Sequence, residues 1–434
     1  MKRVKSLLTP LVLWYLRTIG RLALSQTHAT IIGIAGSVGK TSTREALFAI
    51  LKDIAPTHMV AGNSETGVPL GLVGLFPHDY SPLDWIRMIC IAPFRIGFLK
   101  QKKYIIVEMG IDDPYPPKNM AYLLTIVQPD IGIITEESAA HTMQFEKILN
   151  PKTILTDSDR LTLLIEAITK EDAKMLKKCS IQIINSDNPF LKKEIPQALT
   201  FQITGYSVSM KQTTFSFRME STEITVIFKG HIFPRDLAYS FAPAILATNK
   251  LGIPLDIIQK NLEKNFIPPK GRESVFFATN NSLIIDSTYN ASKQSVLSFI
   301  DMLKTLKKET KRHTIIVLAD MLELGNESQI EHEAVARAIG NIPDTLYLVG
   351  PLTKRFILPI VKNAKWFPSI IELNQALSDI PKHSLILFKG SQGDLWLEEC
   401  IKLLLKNKED ASRLCRQNAF WQRVKKAAGR WVEV

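Results

Sequence analysis

The sequence predicts an α/β protein: a central, mostly parallel sheet domain of the P-loop type, followed by a Rossmann-like α/β C-terminal domain. Three observations carry that expectation. Residues 30 to 51 run as a β-branched stretch, a glycine-rich turn and a helix opened by Lys40-Thr41-Ser42. Short apolar strands then alternate with helical periodicity along most of the chain. The alternation is broken by Ile267-Pro268-Pro269-Lys270-Gly271-Arg272, a hinge or linker.

The turn comes first. Gly36 and Gly39 let backbone N–H groups approach an anion closely, and the helix start adds a favourable dipole. Lys40 supplies charge, and the hydroxyl of Thr41 can hold a Mg²⁺. Gly36, Ser37, Gly39, Lys40, Thr41 and Ser42 are therefore expected to bind nucleotide phosphate. The strict P-loop spacing calls for glycine at position 34, where Ile34 stands. The bland alternative, a ligand-free turn between strand and helix, leaves the Lys-Thr-Ser start unexplained.

A chain of 434 residues, 46% hydrophobic and 22% charged, has room for two or three cores and excludes a disordered protein. The net charge of +12 favours anionic partners, but its placement is uneven. No Asp or Glu precedes Glu45, while Lys2, Arg3, Lys5, Arg17 and Arg21 flank an apolar run. No nucleic-acid partner is expected. Cys90, Cys179, Cys400 and Cys415 have neither metal spacing nor a disulfide framework, so a reducing cytoplasm is the expected home.

Residues 1–29 form a basic amphipathic N-terminal segment. Its apolar run is too short to span a bilayer, which leaves two readings of residues 1–24: an interfacial helix on anionic lipid, peripheral to the inner membrane face, or a helix packed on the protein itself. Residues 83 to 99 form a second amphipathic stretch with the same two readings. Residues 30–270 make the central domain. Within it, Tyr104 to Gly110 is a buried strand ending in Glu108, placed to hold Mg²⁺ because ligands gather at the carboxyl ends of parallel strands. A further strand, Ile131 to Thr135, leads to His141, which is either a metal ligand or a structural histidine. Strands near 200 to 228 form an antiparallel edge.

Residues 271–434 make the C-terminal domain, with strands at Leu283 to Asp286, Thr314 to Ala319, Thr345 to Val349 and Leu385 to Phe388. No Gly-x-Gly-x-x-Gly follows these strands, so nothing points to NAD. The tail carries Arg413, Arg416, Arg423, Lys425, Lys426 and Arg430 around Phe420, Trp421 and Trp431, and its default reading is a solvated basic helix.

In order, Gly36 to Ser42, Asn63 to Leu70, Val107-Glu108-Met109-Gly110, Ala140-His141, Gly271-Arg272, Asp286 to Ala291, Asp320 to Gly325 with His332, and Lys389-Gly390-Ser391 resemble the Mur ligases over about residues 30 to 405. The Tyr-Asn-Ala and Asp-Met-Leu-Glu-Leu-Gly stretches are most similar to the branch that adds D-alanyl-D-alanine. The resemblance implies an ATP-dependent, ADP-forming amide ligase of peptidoglycan synthesis, which phosphorylates a muramyl-peptide carboxylate and joins D-alanyl-D-alanine to it. It implies Lys40, Glu108 and His141 as catalytic residues, and Thr41, Glu108 and His141 as magnesium ligands. Asp286 and Asn290 would meet the nucleotide, with Arg272 at the interdomain hinge.

The chain departs from that family in several places. About thirty residues precede the phosphate turn, where matching enzymes carry a whole UDP-binding domain. The family's carbamylated lysine has no clear counterpart, Lys152 being a candidate by position and Asp157 or Asp159 a source of anionic oxygen. Ser287, Ser240 and Gln392 stand where the family has aspartate, asparagine and arginine. Asp286, Asn290, Asp320, Glu323, Lys389 and Ser391 also have structural readings as caps, turns or solvated groups. Two rival functions stay open: a Mur-like ligase for another carboxylate and amine, and a membrane-associated ATP-binding subunit without ligation.

Overall fold

Runs of β-branched residues, apolar on both faces, become the inner strands of two sheets. The computed structural model describes residues 2–138, 142–149, 156–220, 222–391 and 393–433, the side chains of 2–8, 157 and 158 excepted. The first sheet has eight strands in the order β2-β3-β1-β4-β5-β6-β7-β8. They are β1 (Thr30–Ala35), β2 (Thr57–Met59), β3 (Tyr104–Glu108), β4 (Ile131–Ile134), β5 (Ile181–Asn185), β6 (Leu199–Val208), β7 (Gln212–Met219) and β8 (Thr222–Lys229). β1 lies between β3 and β4 and is parallel to both. Its carboxyl end therefore sits in the middle of the strand row, where doubly wound sheets bind ligands. The short connections among β6, β7 and β8 leave room only for antiparallel pairing.

The second sheet has six strands in the order β13-β12-β11-β14-β10-β9. These are β9 (Ser274–Phe277), β10 (Leu283–Ser287), β11 (Thr314–Ala319), β12 (Thr345–Val349), β13 (Ala364–Phe367) and β14 (Leu385–Lys389). All its pairings are parallel except that of β9 with β10. The chain divides into two compact units. One holds Met1–Thr204, Ser216–Val226 and Ala238–Ile267; the other holds Gly205–Phe215, Ile227–Leu237 and Pro268–Val434.

Lys2–Leu24 is one helix, α1, with Pro10 inside it. Leu16, Ile19 and Ala23 are buried in the core of the first unit, and Val12, Tyr15 and Leu24 pack against that core. The Tyr15 hydroxyl donates to the carbonyl of Ile89 at 2.6 Å. Among the described residues no helix is long and apolar enough to cross a membrane.

The C-terminal tail differs from the solvated helix that its lysines and arginines suggested. Lys425 is fully buried and donates to Glu398 and Glu399, each at 2.7 Å, and to the carbonyl of Arg416. Arg416 grips Glu398 through two nitrogens at 2.8 Å, while Lys402 pairs with Glu399 at 2.7 Å under the ring of Trp431. Three cations offset two buried carboxylates, so within the tail Arg416 and Lys425 turn inward while Arg413, Arg423 and Lys426 stay at the surface.

Lys425→Ala should therefore destabilise the second unit by on the order of 3 kcal/mol, because it takes a buried ion-pair partner from both Glu398 and Glu399. Arg413→Ala, which removes an exposed pair with Asp410, should change stability by less than about 1 kcal/mol. Urea unfolding of the two variants, followed by tryptophan fluorescence, measures both.

Candidate active site

The turn after β1 takes its shape from two glycines in the left-handed region, Gly36 at φ 119° and Gly39 at φ 93°. A Cβ on Gly36 would lie 2.5 Å from the Thr135 hydroxyl oxygen, so glycine is required by space as well as by conformation. Gly39 is the N-cap of α2 (Lys40–Leu51). The carbonyl of Glu136 accepts the N–H groups of Ser37 and Val38, at 2.7 and 3.4 Å. The Lys40 ammonium donates back to the carbonyl of Gly36. Gly36, Ser37, Gly39, Lys40 and Thr41 thus share one turn, while Ser42 is buried on the inner side of α2. Ser240 closes the turn from another helix, its hydroxyl donating to the Gly39 carbonyl at 3.3 Å.

Strand register brings Glu108 alongside. Ile34 on β1 pairs with Glu108 on β3, and the Thr41 hydroxyl donates to Glu108 Oε2 at 3.3 Å. Arg44 Nη1 lies 3.1 Å from the other carboxylate oxygen, an ion pair without hydrogen-bond alignment, so Glu108 Oε1 is buried with no hydrogen bond. A hydroxyl and a carboxylate held together are hard oxygen donors suited to Mg²⁺, with Arg44 as the cation that a metal would displace or neighbour. Among the described residues no group of three His, Cys, Asp or Glu gathers to hold a metal. His141, Lys152 and Gln392 lie outside the described residues, as does the side chain of Asp157. The loop at 62–70 is tied to this strand end, since Gly110 N–H donates to the Asn63 carbonyl at 2.9 Å.

Two carboxyls behind the turn were not foreseen. Asp172 Oδ2 accepts the N–H of Gly36 at 3.0 Å, and Glu137 Oε2 accepts the Ser37 hydroxyl at 2.7 Å. Both side chains are buried and close enough to act on each other, and Oε1 of Glu137 and Oδ1 of Asp172 are buried without a hydrogen bond to any other group. Burial, reinforced by the neighbouring Asp172, pushes Glu137 well above the usual carboxylate range, and burial raises Asp172 to about 6. The pair therefore holds a proton near neutrality. The tandem Glu136-Glu137 at a strand end was a visible signal; Asp172, far off in the helix Asp157–Leu176, gave none.

In the second unit Asp286 is fully buried at the end of β10, and its Oδ1 accepts the N–H and hydroxyl of Thr288 at 3.0 and 2.7 Å. Burial raises its carboxyl to about 6, and its Oδ2 has no hydrogen bond. Lys389 lies beside it on β14 and donates to the Ser287 hydroxyl and the Asn290 carbonyl, each at 2.9 Å. Burial lowers this ammonium to about 8 against the opposing pull of Glu273 and Asp236. The Asn290 side-chain oxygen accepts the N–H of Ala291, while Arg272 stacks on Tyr289 with 4.7 Å to the ring centre. Ser391 does not cap a helix; it receives the N–H groups of Leu322 and Ala291. Asp320 ties the end of β11 to the segment after β12 by accepting from Leu352 and Thr353, while His332 holds the loop after β11 by accepting from Met321.

The first unit thus offers a turn shaped for a polyphosphate and a carboxylate able to share a metal with it, the equipment of an enzyme that works on nucleotide phosphates. Comparison with known proteins narrows that class. Residues 34–238 match the family model of the Mur ligase middle domain, and residues 271–392 match that of the Mur ligase glutamate ligase domain. The chain belongs to the Mur ligases. It is 26% identical over 397 residues to a UDP-N-acetylmuramoyl-tripeptide--D-alanyl-D-alanine ligase of Buchnera aphidicola, covering 87% of this chain and 76% of that protein. The enzyme of the same name from Rickettsia prowazekii is 28% identical over 387 residues, covering 85% and 76%. Among solved structures, a MurF ligase from Thermotoga maritima in complex with ADP superposes with TM-score 0.71 at 22% identity, covering 92% of this chain and 84% of that one. MurF from Acinetobacter baumannii also gives 0.71, at 21% identity, with 90% and 80% covered. These structures share the fold.

Because burial raises the folded pKa of Asp172 above its ordinary 3.8, the stability tied to its proton is full below that value and is lost as pH rises through about 6. The melting temperature should therefore fall from about pH 5 to about pH 7, and fall less in Asp172→Asn. The amide can still accept from Gly36 while donating to Glu137. Scanning calorimetry of both proteins across that range makes the comparison.

Proposed function

We propose that this protein is an ATP-dependent, ADP-forming amide ligase of peptidoglycan synthesis, joining D-alanyl-D-alanine to the free carboxylate of a UDP-muramyl tripeptide. The observation that carries this is the phosphate turn with Glu108 beside Thr41, on a chain that matches relatives named for that activity over most of their length. The γ-phosphate of ATP goes to the peptide carboxylate, because a carboxylate is a poor electrophile until one oxygen becomes a good leaving group. The amine of D-alanyl-D-alanine attacks the acyl phosphate, an amide bond forms and phosphate leaves.

In this reading the Lys40 ammonium turns from the Gly36 carbonyl to the phosphates and offsets charge on the transferring group. Gly36, Ser37 and Gly39 lend backbone N–H groups to the cradle. Thr41 and Glu108, with His141, would hold Mg²⁺, which supplies further neutralisation of phosphoryl charge when bound. Asp286, Asn290 and Arg272 are proposed as further nucleotide-binding residues. The chain works in the cytoplasm, peripheral to the inner face of the membrane.

With ATP, Mg²⁺, UDP-muramyl tripeptide and D-alanyl-D-alanine, mass spectrometry should detect the pentapeptide product, and phosphate should appear only when both substrates are present. Lys40→Ala and Glu108→Ala should each slow turnover by at least about a hundredfold. Normal nucleotide binding without any peptide-dependent turnover would reject the ligase.

A further inference from the structure

Two helical segments of the first unit leave apolar stripes in solvent. On α1, Leu11 and Trp14 are 63% and 59% exposed while the opposite face enters the core. The helix Pro82–Ile91 and the 3₁₀ segment Ala92–Leu99 continue the pattern: Leu83, Ile86 and Phe94 are 77%, 57% and 90% exposed. Positions 83, 86, 90 and 94 recur at helical spacing, and all four are apolar or cysteine. The segments are neighbours, because α1 packs on Ala92–Leu99 and the Tyr15 hydroxyl reaches Ile89. Apolar side chains on adjoining helices are therefore left without a protein cover, which is uncommon for a surface with no partner.

The charges carried by the two segments are mostly basic. No acidic residue occurs before Glu45, and Arg17 and Arg21 lie on α1 while Arg87, Arg95 and Lys100 lie in or directly after the second segment; Asp79, just before it, is half-buried and accepts the N–H of Ser81. The one carboxylate inside the second segment, Asp84, is buried: one oxygen holds Arg87 and the other accepts the N–H groups of His78, Asp79 and Tyr80. An apolar stripe edged by cations, on helices too short or too polar to span, matches a bilayer surface, where hydrocarbon lies beneath anionic headgroups.

We infer that α1 and residues 82–99 together form one docking face for an anionic lipid surface, with Trp14, Leu83 and Phe94 entering the acyl boundary. The inference rests on the peripheral placement proposed for the chain and is independent of the ligation chemistry. The two amphipathic segments are read as one device because α1, held to the unit by its buried face, packs on Ala92–Leu99.

The full chain should float with phosphatidylglycerol vesicles, stay behind with pure phosphatidylcholine vesicles, and lose binding as salt is raised. Leu83→Ser combined with Phe94→Ser changes no charge and removes only exposed groups. It should weaken vesicle affinity by at least about tenfold with an unchanged melting temperature. Arg21→Gln with Lys100→Gln should weaken binding and flatten its salt dependence. Phosphatidylglycerol binding that ignores the serine pair would overturn the docking face, as would absence of vesicle binding. Concentration-dependent self-association abolished by the serine pair, without lipid binding, would assign the face to a second copy and overturn the lipid. Ligation assayed on soluble substrates should be the same in the serine pair and the unaltered protein, so failure of either reading leaves the other standing.

Discussion

The turn between β1 and α2 needs a backbone that reverses at Gly36, runs over Ser37 and Val38, and enters a helix at Gly39 with both glycines left-handed. A side chain at Gly36 would collide with Thr135, so the shape is fixed by what is missing there. It is held from behind by groups distant in sequence: the Glu136 carbonyl, Glu137 and Asp172. Placement of Lys40 and Thr41 follows from that hold, and Glu108 reaches Thr41 because β3 is in register with β1. Loosening the turn would leave every later part of the site correctly built and wrongly aimed.

The two buried carboxyls make this anchoring depend on protonation. A fully ionised pair, close together and out of water, would repel itself. One proton lets the two act as a single acceptor unit for Gly36 and Ser37. Lys40 lies near enough to influence both groups, so the ammonium that serves the phosphates also bears on what stands behind the turn.

Much of this was legible where chemistry is local. β1, β3, β10 and β11 announce themselves as β-branched runs, and the turn carries its own signature in Gly36, Gly39 and Lys40. Glu108 could be placed because a carboxylate at a strand's end has one natural position in a parallel sheet. Asp172 could not, since a carboxylate inside a long polar helix resembles any solvated one until the fold brings it to Gly36. The tail was misjudged for a related reason: a helix rich in lysine looks the same whether its cations meet water or, as with Lys425, the acids Glu398 and Glu399. Asp320 and His332, singled out as motif residues, spend their visible hydrogen bonds on backbone, Asp320 on the segment after β12 and His332 on Met321.

The buried charge cluster at the tail also bears on the order of synthesis. Glu398 and Glu399 emerge from the ribosome before Arg416, Lys425 and Trp431, the residues that neutralise and cover them. Until those arrive, the helix Glu398–Leu404 would have to bury two acids against Lys402 alone, and desolvation opposes this. The second sheet can pair its strands during translation, but it cannot seal this edge until the tail has been made. A nascent chain stalled short of residue 425 would thus expose an unfinished layer, a substrate for chaperones or proteases rather than a smaller enzyme.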